Sequence, residues 1–497
     1  MARIAGSSSR RRTTSPMSSG ARSIGTVCVA TILVAAAPVH TQSPTVRVST
    51  YALDVTFHPE RAAMEAQAHI TFQPSAAPPD SLTFYLHGEL AVDSVLWEGA
   101  AVPVVQEKVY YYFDYSLIAT RATVARGGRS LSEGLSVFYQ GYLNPSRARS
   151  NSDYMRVDTD GVLLRGYAYS VWFPIFLDAW QSSYRVSFPR VTIRTPPSLR
   201  TVFVGTQLAE REENGHRVSE WRATDVDLLE VQCSAQPWEV TSRGAYHAYH
   251  QRTDLSRRAA ARLLEVGEQL AVRFRRYFRS DAVAPDVYFM EMPPFGDISS
   301  GNVVGLTSTG WAEFAQMDPA NNAVTGKIAT IAHELVHAFV RPQMDFADPL
   351  WAFMIEGFPS YFFKPVLAEL LGEEYYRADM RRLQEIYLRN RENARAGRRG
   401  LPPEKPLLEI TADEVPQYKD RFLLGDRGGL FFNYLRTRMG SERFLEFAHD
   451  LFSTDTLDVE RLEEAILTYL PDAREDVRLW LTTSEYPERF RLETLWP

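Results

Sequence analysis

Two histidines and two glutamates stand at spacings that suit a catalytic metal centre. The stretch His333-Glu334-Leu335-Val336-His337 reads H-E-x-x-H, and eighteen residues separate His337 from Glu356. Residues four apart share one face of a helix, so His333 and His337 can point at one ion. Two imidazoles and one carboxylate form a catalytic zinc set that leaves a fourth position open for water. Glu334 lies on the same helix and can take a proton from that water.

The setting of the motif supports this interpretation. The stretch Lys327–Val340 is apolar on nearly all sides, as expected of a buried helix, and Pro342 ends it. Polar residues inside such a helix are costly unless they are paired or bind metal. The alternatives are a surface helix with incidental polar residues, or buried histidines satisfied by hydrogen bonds. We predict one zinc ion per chain, with His333, His337 and Glu356 as ligands.

The first half of the chain is predicted to be a β-domain, covering residues 43–243. Short alternating runs are punctuated by Pro, Gly, Asn and Ser, which indicates an N-terminal antiparallel sandwich or saddle-shaped sheet. Strands are predicted at Thr45–Phe57, Ala68–Phe72, Leu82–Leu86, Ala91–Leu96, Leu135–Tyr139, Tyr184–Phe188, Val191–Thr195 and Thr201–Val204. The aromatic run Tyr110–Tyr115 is interpreted as core or edge-strand packing, and the alternative is a sugar or peptide groove.

The second half, residues 244–497, is predicted to be mainly helical. Thr253 can cap a helix that runs to about Phe278. The segment Leu350–Leu371 carries Glu356, and Pro359 predicts either a kink or a helix that begins close to Glu356. Two strands are predicted at Val287–Met292 and Val303–Thr309, and further helices at 373–390, 427–439, 441–452, 458–469 and 472–482. The run Arg391–Pro406 is basic and rich in Gly and Pro, so it is predicted to be a mobile, solvated loop.

The N-terminus predicts export. Residues 1–42 combine five arginines and no acid with an apolar run at Ile24–Ala37, which is typical of a signal peptide, and the alternative is an uncleaved anchor. Removing the signal takes the formal net charge from -7 to -12. So acidic a protein is a poor candidate for binding nucleic acid or anionic membranes. Cys28 leaves with the signal and Cys233 then stands alone, which excludes an intrachain disulfide. We expect a periplasmic or secreted protein without stable membrane insertion.

Several motifs together resemble the gluzincin aminopeptidases, the group that includes aminopeptidase N and leukotriene hydrolase. Tyr51-Ala-Leu-Asp-Val is similar to the family's opening strand, and Trp172-Phe-Pro-Ile-Phe-Leu-Asp178 to its W-x-P-x-x-D segment. The H-E-x-x-H motif with Glu356-Gly-Phe resembles the family's zinc signature, which the sibling glycyl aminopeptidases share in similar form. The resemblance implies a thermolysin-like, mainly helical zinc peptidase domain behind the N-terminal β-domain. It implies the same three ligands and Glu334 as general base.

The chain departs from the family at two positions, which makes it a divergent member. Asn302, after Gly301, stands where the family's G-x-M-E-N glutamate holds the substrate's α-amino group. Both residues are predicted to bind substrate, and Glu291 or Asp297 is the alternative partner for the ammonium. Gly425 stands at the family's oxyanion tyrosine. Tyr418 is the predicted replacement, and the alternative is an ordinary loop aromatic.

Arg427, two residues after Gly425, is a further candidate donor to the oxyanion. A surface arginine is the preferred interpretation of this residue.

The sequence therefore predicts an exported zinc metallopeptidase that acts on peptides, with its exopeptidase specificity left open. One alternative is a weakly active relative that binds peptides or a partner protein. The other is a zinc hydrolase of a non-peptide substrate. Endopeptidase or exopeptidase mode, side-chain preference and oligomeric state do not follow from the sequence.

Overall fold

The computed structural model describes most of the chain after residue 45. The described ranges are 46–75, 78–110, 118–143, 155–164, 171–176, 185–228, 231–278, 286–292, 298–316, 322–337, 350, 353–354, 357–398, 403–411, 414, 423–454 and 457–496. The predicted signal at residues 1–42 lies outside them.

The described N-terminal half is built of strands, as predicted. The strands of the chain are β1 (Val48–His58), β2 (Ala63–Phe72), β3 (Ser81–His87), β4 (Leu90–Trp97), β5 (Ala100–Val102), β6 (Val104–Tyr110), β7 (Ile118–Ala125), β8 (Leu135–Tyr142), β9 (Met155–Asp158), β10 (Gly161–Leu164), β11 (Ile175–Phe176), β12 (Arg185–Thr195), β13 (Arg200–Phe203), β14 (Thr206–Glu213), β15 (His216–Asp227), β16 (Cys233–Gln236), β17 (Glu239–Arg243), β18 (Tyr246–His250), β19 (Val287–Met292), β20 (Ile298–Ser300) and β21 (Val303–Thr307).

The described strands form four sheets, and among those of residues 46–243 one pairing differs from the expected antiparallel pattern. The orders are β14-β15-β12-β1-β2-β8-β4-β5, β13-β16-β10-β9, β11-β3-β7-β6 and β17-β18-β19-β21-β20. In the largest sheet β1 and β12 run parallel, with Leu53 opposite Val191. A parallel pair needs a long crossover, which the chain between the two strands supplies. In the five-stranded sheet β19 runs parallel to both β18 and β21. Two predicted strands, Tyr184–Phe188 and Val191–Thr195, join in β12 across Pro189.

The second half is mainly helical, which confirms the predicted fold class. The helices with described bounds are α1 (Asp254–Phe278), α2 (Ser308–Ala315), α3 (Asn322–His337), α4 (Gly357–Leu371), α5 (Glu373–Arg395), α6 (Leu423–Met439), α7 (Ser441–Phe452), α8 (Val459–Tyr469), α9 (Arg474–Thr482) and α10 (Leu492–Leu495). Thr253 caps α1 as predicted, because its Oγ1 accepts the Ser256 N–H at 3.0 Å. None of the helices in the described ranges is long and apolar enough to span a bilayer.

The five-stranded sheet lies between two hydrophobic cores. Tyr246, Val287 and Phe289 belong to the core formed with the helices. Tyr249 and Tyr288 belong to the core of the N-terminal strands, as do Met290, Met292 and Val303. Successive side chains of a strand point to opposite faces, so each face of this sheet is covered by a different part of the chain. The boundary between residues 243 and 244 stays a prediction.

The structure tests two predictions about the surface, the aromatic run that starts at Tyr110 and the loop that starts at Arg391. Tyr110 ends the edge strand β6, but its side chain is 73% exposed and so is not packed as the preferred interpretation expects. Residues 111–115 lie outside the described part. The mobile loop predicted from Arg391 is wrong at its start, because α5 continues to Arg395 and Arg391 is buried. Its Nε donates to Glu404 at 2.7 Å, which satisfies the charge inside the protein.

Candidate metal centre

Helix α3 turns its apolar side chains to the core and its polar motif to a half-buried side. Ile331, Leu335 and Val336 are buried in the core of the helical half. His333 and His337, like Glu334 between them, are half-buried. The helix therefore presents the motif residues where a ligand can reach them. It contacts α4, β20 and β21.

The two histidines converge as their spacing predicts. Their Nε2 atoms lie 3.2 Å apart, and the ring centroids are 5.0 Å apart at an interplanar angle of 70°. Two imidazole nitrogens bound to one tetrahedral zinc at about 2.0–2.1 Å lie roughly 3.3 Å from each other. The observed separation fits that requirement. It also suits a hydrogen bond between one protonated and one unprotonated ring nitrogen, which is the alternative that the sequence left open.

The third predicted ligand and the predicted tyrosine fall outside the described residues. These are Glu356 and Tyr418, and their roles stay predictions. Among the described residues, no three His, Cys, Asp or Glu side chains converge as a metal-binding group. Helix α4 is described from Gly357, and Phe353 and Met354 before it are helical as well. Residues 355–356 lie outside the described part, so the kink or helix start expected at Pro359 stays a prediction.

A glycine contact places the start of α4 against α6. A Cβ added to Gly357 would lie 2.6 Å from the Cα of Gly428, and one added to Gly428 would lie 2.3 Å from the Phe353 carbonyl oxygen. Neither position has room for a side chain, so the two helices meet backbone to backbone. Because Gly357 is bonded to Glu356, this contact fixes one end of the segment that carries the predicted ligand. The sequence shows a glycine at each of these two positions, but it does not show that they pack against each other, because that contact depends on the fold.

The buried side of α4 carries an aromatic ring beside His333 and, at the next position, a buried cation. The ring of Phe363 lies 6.0 Å from that of His333, centroid to centroid. The next residue, Lys364, is 5% exposed, and its Nζ donates to the carboxylate of Asp379 on α5. Burial lowers the pKa of Lys364, while Asp379 opposes that shift. A lysine within an apolar run signals such a buried pair, and the sequence interpretation missed it.

The predicted substrate-binding pair lies in the turn between β20 and β21. Gly301 has φ of +55°, in the left-handed region that favours glycine. The Asn302 side chain is 4% exposed, and backbone groups occupy it: its Oδ1 accepts the Gly205 N–H at 2.8 Å. Its Nδ2 donates to the carbonyl oxygens of Gly205 and Asp286, each at 2.7 Å. Both donors of the amide are therefore used.

Of the two acids considered as substitutes for the family's glutamate, one is described. Glu291 on β19 is buried, and its Oε2 accepts the backbone N–H of Gln251 at 2.9 Å, just before α1. This bond ties the end of β18 to β19. Asp297 lies outside the described residues.

Arg427 is neither a surface residue nor an oxyanion donor, which corrects both sequence interpretations. It is 1% exposed on α6. Its Nη1 donates to Glu404 Oε1 at 2.9 Å, and its Nη2 donates to the carbonyl oxygens of Trp480 and Thr483. The guanidinium thus ties the C-terminal segment to the helices. Gly425, two residues earlier, places its carbonyl oxygen 3.2 Å from the position of an added Gly357 Cβ.

Comparison with solved structures identifies the fold. Native yeast LTA4 hydrolase matches with a TM-score of 0.69 and 15% identity, over 89% of this chain and 69% of that one. The M1 zinc metallopeptidase of Deinococcus radiodurans matches at 0.62 and 16%, over 89% of this chain and 95% of its own. A mutant of that metallopeptidase bound to a Tyr-Ser-Ala substrate matches at 0.63 and 16%, with the same coverage.

No family model and no curated protein sequence matches the chain. At identities of 15–16% the structural likeness shows the fold alone. The fold is that of the gluzincin aminopeptidases, as the sequence motifs predicted.

Proposed function

We propose that this chain, which has the fold of the gluzincin aminopeptidases, is an exported zinc-dependent metallopeptidase that hydrolyses peptide bonds. The observation that carries the proposal is the 3.2 Å separation of the His333 and His337 Nε2 atoms on one helix face. That spacing suits two ligands of a single tetrahedral ion, and Glu356 follows at the interval expected for the third. The structural neighbours described as M1 zinc metallopeptidases support the same metal.

The chain's own residues divide the chemistry between them. Zinc bound by the two histidines and Glu356 would polarise a peptide carbonyl and lower the pKa of a water molecule. Glu334, half-buried beside His333, accepts the proton that the attacking water loses. The protonated carboxyl is then placed to return that proton to the departing amine nitrogen.

An extended peptide can align along β20. This strand is the last in the order β17-β18-β19-β21-β20, so its outer edge has no described strand beside it. It also contacts α3, which carries the histidines. An open edge offers backbone donors and acceptors to an added strand, independent of the peptide's sequence.

Export rests on the N-terminal 42 residues, with their basic start and the apolar run Ile24–Ala37. The exported protein would contain no intrachain disulfide, because Cys233 is the one cysteine after the predicted signal. Cys233 is buried, and burial raises the pKa of its thiol, so it behaves as a packing residue. A periplasmic or secreted location follows from the signal.

The test combines metal analysis with turnover of a mixed peptide pool. Purified protein should hold about one zinc per chain. Glu334→Gln keeps the shape of the side chain but cannot accept the proton. It should therefore retain zinc and lose roughly 10²–10⁴-fold in rate. Glu265→Gln is the matched control, because Glu265 is a half-buried helical glutamate on α1. Equal hydrolysis by the two variants would exclude Glu334 as the base.

A weakly active peptide-binding protein is the second candidate. Gly425 favours it, because a glycine in α6 supplies no oxyanion donor, and one lost donor costs about 10²–10³-fold in rate. This candidate predicts that peptides bind at full zinc occupancy with no products detectable by mass spectrometry. Ester substrates added to the same pool separate a third possibility, zinc hydrolysis of a non-peptide substrate.

A further inference from the structure

Asn302 connects two parts of the chain that are far apart in sequence. Its side-chain amide exchanges two hydrogen bonds with the backbone of Gly205, at 2.8 and 2.7 Å. This is the pattern that two peptide groups make in a sheet. Gly205 lies between β13 and β14, and a Cβ there would be 2.3 Å from the Arg222 carbonyl oxygen. Only glycine fits at that point, because a side chain would overlap the backbone of β15.

The third hydrogen bond of the amide ties the turn to the neighbouring strand. Nδ2 of Asn302 donates to the carbonyl oxygen of Asp286, the residue before β19. The backbone carbonyl of Asn302 also accepts the Tyr288 N–H at 2.9 Å. The tip of the β20–β21 hairpin is thus held from two sides, by the N-terminal strands and by the sheet itself. Buried amides with all donors satisfied restrict a structure to one arrangement.

We propose that Asn302 is a positioning residue that fixes the β20–β21 hairpin, and with it the strand edge that aligns the peptide, instead of recognising the substrate's amino group. This inference rests on the proposed peptidase function for its kinetic part and on the structure alone for its mechanical part. The amide sits where the family has a carboxylate, yet its partners are backbone groups of Gly205 and Asp286. A residue so occupied makes no distinction between a free and a blocked peptide terminus.

We call the hydrogen bonds of the Asn302 amide to Gly205 and Asp286 the clamp. Its chemistry explains why a carboxylate does not fit at position 302. A carboxylate at position 302 has no N–H to donate and would face two carbonyl oxygens in a buried setting. Asn302→Asp should therefore release the hairpin, although its shape is unchanged. Asn302→Glu should release it as well, and should not create an aminopeptidase.

The test measures hydrogen exchange and peptide kinetics on the full chain. Asn302→Asp and Asn302→Ser are compared with Asn433→Asp, a matched control. Asn433 is a buried asparagine on α6 whose Oδ1 accepts the Tyr376 hydroxyl at 2.6 Å. Amide exchange in residues 298–307 should rise at least about tenfold in the Asn302 variants and stay unchanged in the control. Unchanged exchange in that hairpin would overturn the clamp, whatever the activity of the protein.

The kinetic measurement uses one peptide with and without N-acetylation. Asn302→Ser should raise KM about tenfold for both forms, with kcat nearly constant, so that the ratio of their kcat/KM values is preserved. Loss confined to the free peptide would show that Asn302 reads the amino group and would overturn the proposal. If wild-type protein hydrolyses no peptide, the proposed function is rejected. The exchange measurement then still tests whether Asn302 holds the β20–β21 hairpin.

A measurement on wild-type protein covers the case in which no variant folds. Exchange at increasing urea should show residues 298–307 and 203–208 opening together, because one amide joins them. Opening of the hairpin at clearly lower urea than the Gly205 segment would refute the inference.

Discussion

Gly428→Ala should weaken both the fold and zinc binding, although alanine favours helices. In a helix interior alanine is better than glycine by about 1 kcal/mol. Here the new Cβ would lie 2.3 Å from the Phe353 carbonyl oxygen and 2.9 Å from the Gly357 Cα. Both neighbours are backbone atoms, so α4 and α6 must separate by about 1 Å to restore ordinary contact. Overpacking of this kind costs about 1–3 kcal/mol, which outweighs the helix preference.

The separation reaches the predicted zinc ligand. Gly357 is bonded to Glu356, so a shift of Gly357 moves the attachment point of that carboxylate. Changes behind a ligand typically reduce metal affinity about 10–100-fold. We expect a reduction of this size, together with a lower urea midpoint, when zinc affinity is measured by competition with a chelator.

Gly429→Ala is the control, one residue further along the same helix. Its Cβ would lie 2.9 Å from Leu383 Cδ2, the end of a flexible side chain, and 3.6 Å from the Gly357 carbonyl oxygen. That side chain can rotate away, so zinc affinity should not change and stability should hold or rise. If Gly428→Ala binds zinc as tightly as Gly429→Ala and unfolds at the same urea concentration, the contact does not position the ligand.

Two other changes test separate parts of the molecule. Glu356→Ala leaves two histidines, which alone rarely hold zinc, so elemental analysis should find the metal largely lost; full occupancy would reject the ligand assignment. Burial, with Lys108 nearby, lowers the pKa of His87 from 6.5 to about 4. The folded protein then binds this proton less tightly than the unfolded chain, so stability present above pH 6.5 is lost as the pH falls towards 4. This lowers the free energy of unfolding by about 3 kcal/mol between pH 7 and pH 4. His87→Gln should abolish most of that difference, as measured by urea unfolding at the two pH values.

Local patterns predicted the elements that carry the candidate site. Val287–Met292 is a strand with the predicted bounds, because a short run that starts with Val287, Tyr288 and Phe289 and stops before Pro293 is typical of a strand. The H-E-x-x-H histidines converge because helix geometry alone brings positions four apart together. The cap at Thr253 is equally local.

Features that depend on distant partners did not follow from the sequence. The sequence around Arg427 predicts a surface residue, because it contains no sign of Glu404 or of the carbonyl groups near Trp480 that bind the guanidinium. The parallel pairing of β1 with β12 has the same origin, since strand patterns specify a face and not a neighbour. The partner of Asn302 lies 97 positions away, so only the fold shows that its amide is occupied.

The five-stranded sheet has a hydrophobic core on each face, so the two halves of the chain depend on each other for folding. Tyr288, Met290 and Met292 face the N-terminal strands, although they belong to a strand that follows α1. A gene fragment that encoded only the helical half would leave this face in water, at roughly 1.5–3 kcal/mol for each large side chain. Such a surface also promotes self-association. The helical half without the N-terminal strands should therefore fold poorly, even where the histidines stay intact.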